Sequence, residues 1–150
     1  MRAVLQRVLE CSVSIDGSVV SRIGPGLAVL LGVRRGDGEN DAAWMAEKIA
    51  ALRIFEDAAG KMNRSVLEES RAVLVISQFT LYADARKGRR PSFIEACEPS
   101  EAKRLYELFC DELRRHGLEV KTGEFAAHMQ VALINDGPVT LILDSPKEPA

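Results

Sequence analysis

From Ala3 onward the chain alternates apolar and polar positions with a period of two, the pattern of strands that bury one face. Ala3-Val4-Leu5 opens the series and Ser12 to Ile15 continues it. Asp16-Gly17 supplies a turn, Val19 to Ile23 follows, and Leu27 to Val33 comes after Gly24-Pro25-Gly26. These segments predict an antiparallel meander. Ala28-Val29-Leu30-Leu31 is apolar at every position, which predicts a central strand covered on both faces.

The period then changes. After the loop Arg34-Arg35-Gly36-Asp37-Gly38, residues Ala42, Met45, Ile49 and Leu52 recur at helical spacing and predict a helix from Asn40 or Asp41 to Leu52. Trp44 falls off that stripe and is read as packing on a neighbouring element. Ile54-Phe55 predicts a short strand, Asp57 to Gly60 a turn, and Lys61 to Ser70 an irregular polar connection. Ala72 to Leu81 is the most strand-like run in the chain, and it turns polar at its end. A loop from Tyr82 to Ser92 follows. The second helix runs from Ser100 to His116, with Ala102, Leu105, Tyr106, Phe109 and Leu113 on one stripe and Gly117 as its stop. Glu119 to Thr122 and Met129 to Ile134 read as strands. The fold class is therefore α+β: one domain over residues 1–144, a largely antiparallel many-stranded sheet or barrel-like β-structure with two main helices, and a flexible tail over 145–150.

Composition narrows the function classes. A chain of 150 residues with 47% hydrophobic and 28% charged positions builds its core without disulfides or metals. Twenty basic against 22 acidic residues leave a net charge of −2, so any anionic partner must meet a local patch, and DNA is not an expected partner. Cys11, Cys97 and Cys110 show no CxxC spacing and no histidine at ligand distance, which argues for reduced thiols and against a metal site. The first apolar run is broken by Gln6 and Arg7, and no segment is long enough to span a membrane, so a cytoplasmic protein is expected.

Three stretches carry candidate chemistry. In Asn135-Asp136-Gly137-Pro138-Val139-Thr140, a Gly-Pro pair interrupts two apolar strands. One reading is a hairpin turn at Asp136-Gly137; the other is a cis Gly137-Pro138 bond, since proline makes cis cheap, and a cis bond re-aims two backbone carbonyls toward a ligand. Ser77-Gln78-Phe79-Thr80 brings hydroxyls, an amide and backbone N–H groups to a strand end, the equipment of an oxyanion hole. On an ideal strand Gln78 and Thr80 face away from Ser77 and Phe79, so a shared site requires a bend there. Thr80 as a nucleophile lacks an activating base at a recognisable spacing, and His116 and His128 have no motif around them. The loop Arg86-Lys87-Gly88-Arg89-Arg90 is either a solvated turn or a phosphate contact. No P-loop or Rossmann glycine pattern is present.

Taken together, Ser77-Gln78-Phe79-Thr80-Leu81 and Asn135 to Thr140 closely resemble the motifs of the bacterial D-aminoacyl-tRNA deacylase family. Arg53-Ile54-Phe55, Gly60-Lys61-Met62-Asn63, Arg90-Pro91-Ser92-Phe93 and Thr122-Gly123-Glu124-Phe125 extend the resemblance over nearly the whole chain. The tail after Asp144 and His128 are departures outside the motifs. The resemblance implies a homodimeric hydrolase, without cofactor or metal, that cleaves the ester of a D-amino acid or glycine at the 3′ end of aminoacylated tRNA. Gly137 and Pro138 would then be a cis pair acting in the partner subunit, rejecting L-amino acids by a clash with backbone carbonyls. It further implies that Ser77, Gln78, Phe79 and Thr80 bind the terminal adenosine and stabilise the oxyanion, with the 2′-hydroxyl of the tRNA assisting the attacking water. Phe125 and Met129 would wall the adenosine pocket or serve as core. Arg7, Lys87, Arg89 and Arg90 are the candidates for acceptor-stem phosphates. Two alternatives stay open: a covalent hydrolase using Thr80, and a non-catalytic tRNA-binding module.

Overall fold

The structure, a computed structural model, describes residues 1–147. Its organising strand is β1 (Arg2–Ile15), whose partners are β2 (Ser18–Ile23) and β3 (Gly26–Gly32). Ile15 faces Ser18, Cys11 faces Ile23, Val8 faces Gly26 and Arg2 faces Gly32, so β2 and β3 together form the return arm of one long hairpin. The arm is broken at Gly24-Pro25, where proline has no N–H to offer the ladder. The expected meander is therefore replaced: β3 lies beside β1 and not beside β2.

From β3 the chain crosses through α1 (Glu39–Ala51) and a small hairpin, β4 (Phe55–Glu56) with β5 (Met62–Arg64), to β6 (Ala72–Ser77). It crosses again through α2 (Pro99–Arg115) to β7 (Val120–Thr122). β3 pairs with β6, and β6 with β7, in parallel, because each connection carries a helix back across the sheet. The sheet is thus mixed, and β2 curls toward β6 and β7 so that it nearly closes into a barrel. Pro99 opens α2 one residue before the expected start, and Gly117, at φ +95°, ends it, as the sequence pattern predicts. Among the described residues no helix is long and apolar enough to cross a membrane.

Two cores sit on the two faces of this sheet. On the helix side Ala3, Leu5, Val29, Leu31, Val73 and Val75 meet Met45, Ile49, Leu105 and Phe109; inside the curl Val8, Cys11, Val13, Ala28, Leu74 and Ile76 meet one another. The alternation along β3 and β6 explains why both strands are apolar throughout. Each fully buried Leu or Phe adds about 1.5–3 kcal/mol.

The last strand, β8 (Gln130–Asp144), runs along the whole of β1. Its other edge is unpaired among the described strands and carries exposed Val131, Ile134 and Ile142. Ser145, expected in the tail, is anchored: the Met1 amine donates to its Oγ at 2.6 Å and its N–H donates to the Met1 carbonyl at 2.8 Å. Residues 148–150 of that expected tail lie outside the described residues.

Candidate functional site

The strand β6 stops at Ser77, and Gln78, at φ −143° and ψ 81°, turns the chain into a single 3-10 turn over Phe79–Tyr82. The Gln78 N–H still donates to the Leu31 carbonyl at 2.8 Å, so the bend begins from a fixed point of the ladder. Gly32 lets the turn come close, since a Cβ there would stand 3.1 Å from the Gln78 carbonyl oxygen and 3.2 Å from the Tyr82 ring. The bend ends the strand alternation after Ser77, and within it the Gln78 amide nitrogen donates to the Thr80 hydroxyl oxygen. Thr80 and Phe79 are exposed at the surface, Phe79 at 57%, and Phe79 meets Phe93 edge to face with ring centroids 5.1 Å apart.

The second motif is a bulge and not a hairpin turn. Gln6 faces Thr140 and Val8 faces Asn135, so residues 136–139 stand out of a ladder that continues in the same direction on either side. The Gly137-Pro138 bond is cis and both residues are exposed. Asn135 staples the bulge: its Oδ1 accepts the Val139 N–H at 2.7 Å and its Nδ2 donates to the Thr140 hydroxyl at 3.0 Å. Gly137 adopts φ +145°, and a Cβ there would lie 2.7 Å from a Val139 methyl and 2.8 Å from the Val139 nitrogen. Only glycine fits that place without displacing the chain.

Arg7 belongs to this bulge, and its proposed contact with phosphates is corrected. Its residue is 6% exposed. Its Nε donates to the Asp136 carbonyl at 3.0 Å and its NH1 to the Ile54 carbonyl at 2.8 Å, with the carboxylates of Asp136 at 3.4 Å and Glu56 at 3.8 Å. A guanidinium spent on two carbonyls and two acids inside the protein has none of its face left for RNA.

Phe125 and Met129 pack against different cores. Phe125 packs on the helix-side core, 5.9 Å from the Tyr106 ring, whereas Met129 packs on the inner core, its sulfur filling the space a Gly123 Cβ would need. Lys87, Arg89 and Arg90 are exposed with no ion-pair partner among the described residues, while Arg86 is held by Asp84 at 2.7 Å. A cavity of about 1090 Å³ lies behind the 3-10 turn and touches Leu81, Tyr82 and Asp84. Its charges compensate one another, Arg2 with Asp144 at 2.8 Å and Arg34 with Glu95 at 3.1 Å, so it is a poor seat for a phosphate.

The two motifs do not meet within one chain. Ser77 lies beside Leu31, Leu31 beside Ala3 and Ala3 beside Leu143, while Pro138 is further back along β8. Three strand spacings and that length of strand separate Ser77 from Pro138 by roughly 20 Å.

The model of the D-Tyr-tRNA(Tyr) deacylase family matches residues 4–144. The chain belongs to this family. It is 69% identical over 146 residues to the D-aminoacyl-tRNA deacylase of Myxococcus xanthus (strain DK1622), covering 97% of this chain and 95% of that protein. It is 62% identical to the same-named protein of Heliobacterium modesticaldum (strain ATCC 51547 / Ice1), over 96% of each chain. Among solved structures, one titled c-Myc DNA Unwinding Element Binding Protein superposes with a TM-score of 0.91 at 42% identity, over 98% of this chain and 100% of that one. A probable eukaryotic D-amino acid tRNA deacylase shares the fold at a TM-score of 0.80 and 18% identity, over 95% and 97% of the two chains. The family places the protein among the hydrolases.

In this deacylase-family chain the sequence reading missed the supports of the two motifs. Asn135 and the Ile54 carbonyl hold the bulge, and Phe93 backs Phe79. The Asn135 signal was available, since an asparagine before a Gly-Pro bulge carries both a donor and an acceptor for the backbone it precedes. A buried partner carbonyl leaves no trace in sequence.

Proposed function

We propose that this chain hydrolyses the ester of D-aminoacyl-tRNA as a homodimer, each site combining Ser77 to Thr80 of one subunit with Gly137 and Pro138 of the other. The observation that carries the reading is the separation of two exposed, rigidly supported motifs on one chain. One lies at a bent strand end and the other on a stapled bulge, with roughly 20 Å between them by strand spacing and rise. A second copy is the economical way to bring them together, and the unpaired β8 edge with its exposed Val131, Ile134 and Ile142 is a surface that a second copy would cover.

The geometry suits a site that positions a reactive ester and does not attack it covalently. In the proposed arrangement the terminal adenosine stacks on Phe79, and N–H groups of the turn meet the developing oxyanion. The tRNA 2′-hydroxyl assists water, and the partner's bulge turns away an L side chain by collision with its backbone. A glycyl ester has no side chain to reject, so it passes. Against the Thr80 nucleophile stands its recorded partner: the Gln78 amide donates to the Thr80 oxygen, and among the described residues no imidazole or carboxylate is bonded to it. The test is hydrolysis of matched D- and L-aminoacyl-tRNA together with the solution mass. Release from the D ester alone by a dimer is expected. Equal cleavage of both, or full activity in a monomer, refutes the reading.

A further inference from the structure

The loop between Asp84 and Ser92 is built for more than solvent. Its ends are clamped by two backbone hydrogen bonds, Asp84 N–H to the Ser92 carbonyl and Ser92 N–H to the Asp84 carbonyl, both 2.8 Å. Arg86 neutralises Asp84 inside the loop, so the cations left facing outward are Lys87, Arg89 and Arg90. Just past the clamp, Phe93 remains 38% exposed while standing edge to face with Phe79 at 67° between ring planes. Segment 95–97 then runs against 33–35, through Arg35 N–H to the Glu95 carbonyl at 2.9 Å and Cys97 N–H to the Val33 carbonyl at 3.0 Å. This pairing brings Arg35, exposed and without an acidic partner among the described residues, to the same strip.

We propose that this strip, Phe93 with Lys87, Arg89, Arg90 and Arg35, seats the unpaired nucleotides that precede the terminal adenosine of the RNA substrate. The proposal rests on the function proposed above. A protein of net charge −2 that gathers outward cations around an exposed aromatic pair has the two components single-stranded nucleic acid needs: charge for phosphates and a π-face for bases. Phe79 carries the last base, and Phe93 is the next π-surface available. The 67° between the rings has a consequence, since bases lying on both cannot stack on each other. The strand must turn between its last two nucleotides, which splays the terminal ester away from the rest of the RNA and into the site.

The test compares two D-esters on the full-length protein, D-aminoacyl-tRNA and the 3′-D-aminoacyl adenosine that lacks every preceding nucleotide. For Phe93→Ala the loss of kcat/KM on the tRNA ester should exceed the loss on the adenosine ester about fivefold or more, with Phe93→Trp restoring it. The double variant Arg89→Ala/Arg90→Ala should show the same preference for the short ester and a weaker salt dependence on tRNA. Equal losses on both esters overturn the proposal, as does a Phe93→Ala enzyme indistinguishable from wild type on tRNA. If only the charge variants act, the strip meets phosphates alone and the base-stacking inference is wrong. Failure of the wild type on both esters would refute the deacylase reading instead. In that case anisotropy with a short single-stranded RNA still decides the strip: binding weakened by Phe93→Ala upholds it, and binding indifferent to Phe93→Ala overturns it.

Discussion

The Arg7 guanidinium donates to the carbonyl of Asp136 at 3.0 Å, which joins the buried middle of β1 to the foot of the Gly137-Pro138 bulge. The same group reaches the Ile54 carbonyl at 2.8 Å, so one side chain fixes the bulge against both the sheet and the segment leading into β4. Lysine keeps the charge but has no planar fork to serve two carbonyls. Arg7→Lys is expected to lose about 1.5–3 kcal/mol of stability, the worth of a buried charge-assisted hydrogen bond. Deacylation of the D ester should fall at least about tenfold, because a displaced bulge misplaces the substrate. Chemical denaturation and single-turnover rates check both; an Arg7→Lys variant with wild-type stability and rate would mean that only the charge near Glu56 and Asp136 matters.

Gly137 sets the shape of the bulge itself. At φ +145°, with the Val139 nitrogen 2.8 Å from where a Cβ would lie, an alanine must shift the backbone of the very residues proposed to face the substrate. Such a strained position costs about 1–3 kcal/mol. Because Gly137 itself is exposed and has no register partner in the ladder, Gly137→Ala should fold. Its D-ester rate should drop and its rejection of the L ester should weaken, read from paired D and L time courses. An unchanged ratio would exclude Gly137 from selection.

Much of this architecture was legible because local patterns record local contacts. The stripes of Ala42-Met45-Ile49 and Leu105-Phe109-Leu113 found both helices to within a residue or so, and the four-apolar run in β3 correctly announced a strand covered twice. Strand pairing was not legible. Nothing in Leu27 to Gly32 says whether the partner of β3 runs parallel or antiparallel, since that is decided by the helical connection that follows it. Arg7 misled for a physical reason: a charge breaking an apolar run looks like a surface residue, and its satisfaction by the Asp136 and Ile54 carbonyls comes from remote backbone. The polar end of β6 was legible as the end of a strand, but the bend that follows it depends on Gly32 in another strand.

The Asp84 carboxyl should report the Asp84–Arg86 pair directly. Side-chain hydrogen bonds from Arg86, with the Arg86 backbone N–H, hold it down to about 2, against an ordinary aspartate. A folded-state value below the unfolded one means that the contribution is complete above about pH 3.9 and is lost as the pH falls toward 2. Side-chain NMR should place the Asp84 midpoint near 2. In Arg86→Ala it should drift back toward about 3.9. A midpoint already near the ordinary value in the wild type would show that the Asp84–Arg86 pair does not persist in solution.

The thiols give the opposite sign at the other end of the pH scale. Burial pushes Cys11 up to about 11 and Cys110 up to about 12, while half-buried Cys97 is raised by the same cause. A buried thiol that resists ionisation favours the folded state fully below the ordinary thiol value of about 8.5, and that contribution is lost as pH rises from there through the folded-state values. At pH 8 the thiolate of Cys11 would be on the order of one part in a thousand, and its access is closed as well. Native protein at pH 8 should therefore release one equivalent per chain to a thiol reagent, from Cys97, and three only after unfolding. Denaturation midpoints should fall between about pH 8.5 and 12, and less steeply in Cys110→Ala. Rapid native labelling of Cys110 would mean that α2 leaves the sheet far more often than its fully buried Leu105, Phe109 and Leu113 allow.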